Sequence, residues 1–107
     1  MAESEYCVVT TSIDSADAAD ALASAAVTVR LAACAQVIGP VRTTYRWQGA
    51  IEEATEWLVT LKTTTRAYAE LERFIRDEHP YEVPEIVATP ITAGNPAYLT
   101  WLATETR

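Results

Sequence analysis

Two stretches of alternating residues, Ala35 to Trp47 and Ala50 to Thr63, flank Trp47-Gln48-Gly49-Ala50, and their length constrains this fold more than any other feature. A tight turn between two such arms predicts a β-hairpin. Trp57, Val59 and Leu61 alternate with Glu56, Leu58, Thr60 and Lys62, as in a sheet whose two faces differ. Each arm has about thirteen residues against about 5 to 6 in an ordinary strand, so the hairpin must project beyond a small sheet. Gly39-Pro40 marks a bulge or bend in the first arm, because Pro cannot donate to a ladder. Tyr45, Trp47 and Trp57 would then stand exposed in a monomer. Burial of these aromatics in an oligomer is the expected solution.

The remaining elements fit around this hairpin. Tyr6 to Thr11 is a short β-branched run, consistent with a strand buried on both faces. Asp14, with Asp17 three residues on, is read as the N-cap of a helix that runs to about Arg30, with Ala19, Leu22, Ala26 and Val29 on one face. Thr65 is read as the cap of a second helix carrying Tyr68, Leu71, Phe74 and Ile75, which stops before His79-Pro80 because the residue preceding Pro disfavours the helical well. Pro84 and Pro90 bracket a fourth strand, Glu85 to Thr89, and Asn95-Pro96 opens a short last helix with Tyr98, Leu99, Trp101 and Leu102. The order βαββαβ plus a C-terminal helix, with right-handed crossovers, gives an α+β, ferredoxin-like sandwich of four strands and two helices on one face. One domain over residues 1–107 is expected from the length.

Composition limits both the core and the partners. Alanine supplies 19 of the 107 residues, so large apolar side chains are scarce and some of the burial should come from another subunit. Eight basic against fifteen acidic residues leave a net charge of −7 with no Lys/Arg cluster, which argues against nucleic acid as a partner. No apolar run approaches the roughly 20 residues of a membrane span, and the acidic start is unlike a signal peptide, so the reading is a cytoplasmic protein without a membrane partner. Cys7 and Cys34 form no CxxC pair and read as small buried hydrophobes in a reducing compartment.

The densest polar segment is His79-Pro80-Tyr81-Glu82-Val83-Pro84-Glu85. Imidazole is a common ligand for copper, nickel or zinc, and Glu82 and Glu85 could complete a site. The same histidine could instead end the helix and bond its last carbonyls. Glu52, Glu53 and Glu56 follow the hairpin turn and read as a solvated, charge-protected edge. Lys62, the only lysine, is expected to pair with one of those carboxylates. Three glycines leave no phosphate-cradling loop and no GxSxG elbow; a Cys34/His79 nucleophile and base pair stays open.

Five ordered segments carry a resemblance: Arg30-Leu31-Ala32-Ala33-Cys34; Tyr45-Arg46-Trp47-Gln48-Gly49 with Ile51-Glu52-Glu53; Leu61-Lys62-Thr63; His79 through Ile86; and Gly94-Asn95-Pro96-Ala97-Tyr98-Leu99 with Trp101-Leu102. At these positions, from about Tyr6 to Leu102, the chain resembles the CutA divalent-cation tolerance family. The resemblance implies a cytoplasmic ferredoxin-like homotrimer with long hairpins packed between subunits, tied to tolerance of copper and other divalent cations. By position it makes His79 the metal-associated histidine, with Tyr81, Glu82 and Glu85 completing its segment, and places Cys34 at the family's cysteine after the first helix.

The expectation is therefore a non-enzymatic homotrimer that binds copper(II), or another divalent cation, near a subunit interface. His79, Glu82, Glu85 and Cys34 are its candidate ligands, and Tyr45, Trp47, Trp57 and Trp101 its interface aromatics. The alternative is a regulatory module, built like the trimeric PII proteins, that takes a small anion in an intersubunit cleft beside Tyr81 through Lys62 and Arg46.

Overall fold

The computed structural model describes residues 4–107. Its elements are β1 (Tyr6–Ile13), α1 (Ala16–Thr28), β2 (Cys34–Trp47), β3 (Ala50–Thr64), α2 (Tyr68–Glu78), β4 (Ile86–Pro90) and α3 (Pro96–Glu105). A 3-10 turn, Thr65–Ala67, precedes α2. The four strands form one antiparallel sheet ordered β2-β3-β1-β4, the ferredoxin-like arrangement. Among the described residues no helix is long and apolar enough to cross a membrane.

Alternation sorts the sheet into two faces. Cys7, Val9 and Ile13 on β1 and Val59 and Leu61 on β3 are buried, and they share one cluster with Ala19, Leu22 and Ala26 of α1 and Leu71 and Ile75 of α2. The small α1 side chains let that helix approach closely, and α2 contributes the larger Leu71 and Ile75, both fully buried. Residues of opposite parity, such as Ile38 and Val87, are exposed by half on the other face. Leu102 on α3 is fully buried, whereas Tyr98 and Trp101 on the same helix are exposed.

Two of the three helix starts are capped one residue away from the expected position. Ser15, not Asp14, caps α1: its extended backbone aims Oγ at the Ala18 N–H, 3.2 Å away. Helix α1 also stops before Arg30, at Thr28, because Arg30 adopts φ 63° and leaves the helical well. The Arg30 guanidinium then donates to the Thr104 and Glu105 carbonyls, a cation at the C-terminus of α3. Thr64, not Thr65, caps the 3-10 turn by accepting from the Ala67 N–H, and α2 follows without a side-chain cap of its own. Strand β4 lies one residue later than expected, and Asn95 caps α3 as expected, accepting from the Ala97 N–H at 3.0 Å.

The hairpin is as long as its sequence requires. Gln48 (φ 49°) and Gly49 (φ 82°) both take left-handed conformations, as a two-residue turn that matches strand twist demands. The register runs from Trp47↔Ala50 to Cys34↔Lys62, with a break between Ile38 and Val41 at Gly39-Pro40. Trp57 lies over that break, so close that a Cβ added to Gly39 would collide with its ring. Trp57 is consequently half-buried against the core rather than exposed, a correction to the expectation from hairpin length alone.

Candidate functional site

Strand β1 ends opposite Trp57, so residues 50–56 of β3 run on without a β1 neighbour. The segment that leaves α2 fills the space beside them. His79 ends α2, its N–H donating to the Ile75 carbonyl at 2.9 Å and its backbone turning extended (ψ 135°) ahead of Pro80. The imidazole is 8% exposed and both ring nitrogens are engaged. Nδ1 accepts the Tyr81 N–H at 3.1 Å, which places the ring proton on Nε2, and Nε2–H donates to the Ser12 carbonyl at 2.8 Å. The ring thus joins β1 to the start of the 79–85 segment and sits edge-on to Tyr81, with centroids 4.6 Å apart.

Tyr81 reaches across to the hairpin. Its hydroxyl donates to Glu56 Oε2 at 2.7 Å. Burial first, then this hydrogen bond and the charge of Glu56, push the phenol well above its ordinary value, because ionisation would set a phenolate against a carboxylate. Glu56 itself is 5% exposed, which departs from the solvated edge expected of it; Glu52 and Glu53 are exposed. Of the three, only Glu56 lies where the 79–85 segment covers the strand.

Together these residues bound a cleft of about 410 Å³. Glu52 and Glu56 line it from β3, and Glu82 and Glu85 from the 79–85 segment. Tyr45 and Trp47 of β2 and Tyr81 supply aromatic walls. No basic residue among those described contributes to the lining. A cavity with four carboxylates and no cation favours positively charged ligands and opposes anions.

The other singled-out residues lie elsewhere. Cys34 is half-buried and pairs across the ladder with Lys62, six residues beyond Glu56, about 20 Å away at the rise of a strand. The Tyr98 phenol beside it is raised by burial and then by its Cys34 neighbour. Lys62 donates to the Gln36 side-chain oxygen at 2.9 Å rather than to a carboxylate, because Glu52, Glu53 and Glu56 all lie further up the hairpin. Arg46 pairs with Ile51 near the turn, so Lys62 and Arg46 do not converge within the chain. Trp101 sits on the exposed side of α3 beside Tyr98. Among the described residues, no three His, Cys, Asp or Glu side chains converge as a metal set.

Sequence reasoning placed Glu82, Glu85 and Tyr81 in one segment and missed that Glu52 and Glu56 face them. One signal was available. Strand parity puts Glu52 and Glu56 on one side, and the turn register puts Tyr45 opposite Glu52.

Residues 7–105 match the family model described as CutA1 divalent ion tolerance protein. The chain is 44% identical over 99 residues to the divalent-cation tolerance protein CutA of Thermus thermophilus, covering 92% of this chain and 96% of that one. It is also 44% identical over 81 residues to mouse protein CutA, where the match covers 76% of this chain and 46% of the longer relative. Among solved structures, the divalent cation tolerance protein from Thermus thermophilus superposes with a TM-score of 0.93 at 43% identity, over 95% of this chain and 99% of that one.

Proposed function

The chain belongs to the CutA1 divalent ion tolerance family, and on that premise we propose that it acts in divalent-cation tolerance as a non-catalytic homotrimer that binds copper(II). The observation that carries this reading is the cleft: four glutamates and no basic group, beside the chain's one histidine. The ligands proposed are His79, Glu82 and Glu85, which do not converge as a metal set among the described residues of one chain and would have to be drawn together on binding. Cys34, about 20 Å along the hairpin from Glu56, lies outside the set. Copper can use Nδ1 of His79 only if the Tyr81 N–H gives up that lone pair, so binding should be felt by the Tyr81 ring. Exposed Tyr45, Trp47 and Ile51 on the hairpin and Trp101 on α3 supply apolar surface for the homotrimer, and an obligate interface of about 2,000 Å² or more is expected.

Copper titration followed by calorimetry tests the site. Saturable binding should weaken as pH falls, because protons compete for the imidazole, and should drop sharply in His79→Ala and in the double variant Glu82→Gln/Glu85→Gln. The double variant alters only exposed side chains and so isolates binding from folding. Binding unchanged in both, and abolished by moderate salt, would reduce the effect to diffuse capture by the net charge of −7. Light scattering on diluted protein tests the assembly, and a folded species of monomer mass would overturn the trimer.

A further inference from the structure

Tyr81 is held at both ends, and the segment that follows α2 is held by little else. Among the described residues, no backbone-to-backbone hydrogen bond outside the helices and strands involves residues 80–85, and Glu82, Val83 and Glu85 are exposed. The anchors are side-chain contacts. Nδ1 of His79 accepts the Tyr81 N–H at 3.1 Å, Nε2–H of the same ring donates to the Ser12 carbonyl at 2.8 Å, and the Tyr81 hydroxyl donates to Glu56 at 2.7 Å. The edge-on contact of the His79 and Tyr81 rings completes the set. The segment is therefore fastened through two residues, His79 to β1 and Tyr81 to β3.

A neutral imidazole has one ring-nitrogen lone pair, and here it is spent on the Tyr81 N–H. The other tautomer does not free it. Its lone pair on Nε2 would face the Ser12 carbonyl oxygen, and its Nδ1–H would face the Tyr81 N–H. The ring is buried as well, so neither nitrogen of His79 is available to a metal while the segment is fastened. We propose that residues 79–85 form a latch whose closed and metal-bound states exclude one another: a divalent cation reaches His79 only after the Tyr81 N–H has swung away, and the Tyr81–Glu56 hydrogen bond holds the latch shut against it. The inference rests on the copper reading for its metal, while the latch stands on contacts among the chain's own residues. Affinity is then the intrinsic affinity of the open form multiplied by its population. A change that loosens the latch without touching His79, Glu82 or Glu85 therefore tightens metal binding. A preformed site behaves in the opposite way, because removing a supporting contact costs it affinity.

Three measurements on the full-length protein test the latch, the first of them without metal. His79 is the only histidine, so its acylation by diethyl pyrocarbonate, which uses the same nitrogen lone pair, is read in ultraviolet absorbance with no second imidazole to confuse it. In the parent, acylation should be slower than in N-acetylhistidine by about tenfold or more. Tyr81→Phe keeps the ring and removes only the hydroxyl, and should speed the reaction by about fivefold to thirtyfold. Calorimetric copper titration should show the same variant binding more tightly than the parent by a similar factor. Amide exchange at Tyr81, followed by NMR, should be protected in the copper-free parent and lose that protection on loading. Parental acylation as fast as in the free amino acid, copper affinity unchanged or lowered in the folded variant, or copper binding that leaves the Tyr81 N–H protected would each overturn the proposal. If Tyr81→Phe does not fold, the parental acylation rate and the amide exchange still decide it. A parent whose His79 is shielded and is released by Tyr81→Phe, yet which takes no copper in either form, supports the latch and sinks the copper reading alone.

Discussion

Along the β2–β3 ladder, the half that pairs Cys34–Ile38 with Leu58–Lys62 also has β1 beside it and the helix-facing core beneath, whereas the half that pairs Val41–Trp47 with Ala50–Glu56 extends past the end of β1. Hydrogen bonding between β2 and β3 continues in both. Burial does not: Val59 and Leu61 are fully buried in the first half, and Ile51, Trp47 and Tyr45 are 66%, 42% and 41% exposed in the second. Pairing is therefore a property of two strands and a turn, while burial needs a further layer. Where helices supply that layer, the hairpin becomes core. Where only the 79–85 segment reaches it, one side of the strand becomes a cleft, and Glu56 is the single carboxylate drawn inside.

The sharpest break of this comparison is a truncation on each half. Leu61→Ala should cost about 2–5 kcal/mol in denaturant unfolding, since it removes a fully buried side chain from beneath two helices. Ile51→Ala should leave the fold of the subunit intact and, on the proposed homotrimer, act on the assembly instead, read as a change in the concentration dependence of melting. Equal losses at the two positions, independent of protein concentration, would show that the distal half is structured by its own chain.

The junction between the halves comes next in size. Gly39→Ala drives a methyl group into the Trp57 ring, and should destabilise by about 1–3 kcal/mol with a red shift in tryptophan emission as that ring is displaced towards water. An unchanged melting temperature would mean that Trp57 moves aside freely and that the bulge does not anchor the hairpin.

On the cleft side, Tyr81→Phe removes the hydroxyl that bonds Glu56 and should cost about 1–2 kcal/mol near neutral pH. It should also change the alkaline limb. The Tyr81 phenol is raised in the folded state above its unfolded value near 10, so its contribution is complete below about pH 10 and lost as pH rises through the folded value. The ordering of the two pH profiles follows from the sign of that shift: above pH 10 the unfolded parent loses the phenol's proton before the folded parent does, which lowers parental stability, and the variant lacks this loss. Stability of the variant should therefore fall less steeply above pH 10 than that of the parent. Parallel profiles would uncouple the phenol from Glu56.

The smallest effect is expected under the helices, where Thr11 Oγ is buried without a hydrogen-bond partner among the described residues. Thr11→Val should stabilise by about 1 kcal/mol by exchanging an orphaned hydroxyl for a methyl group. Destabilisation by a similar amount would show that a partner for the hydroxyl exists in solution.

Short-range pattern in the chain was enough for the order of its elements. The period-2 arms, the Gln48-Gly49 turn, the break at Gly39-Pro40, the stop before Pro80 and the Asn95-Pro96 helix start each rest on the stereochemistry of a few neighbouring residues, and together they dictate the βαββαβ order. Cap positions slipped by one residue because Ser15 and Thr64 stand next to Asp14 and Thr65, and backbone angles chose between chemically similar neighbours. Which charges are buried, and which groups meet, was settled by packing in three dimensions. The Tyr81–Glu56 contact joins residues 25 apart and the His79–Ser12 contact joins residues 67 apart, so neither leaves a local periodic signal. The same holds for Trp57, whose alternation is indistinguishable from that of an exposed aromatic until Gly39 opens a place for its ring. Desolvation depends on every atom within reach of a side chain, and most of those atoms belong to distant parts of the sequence.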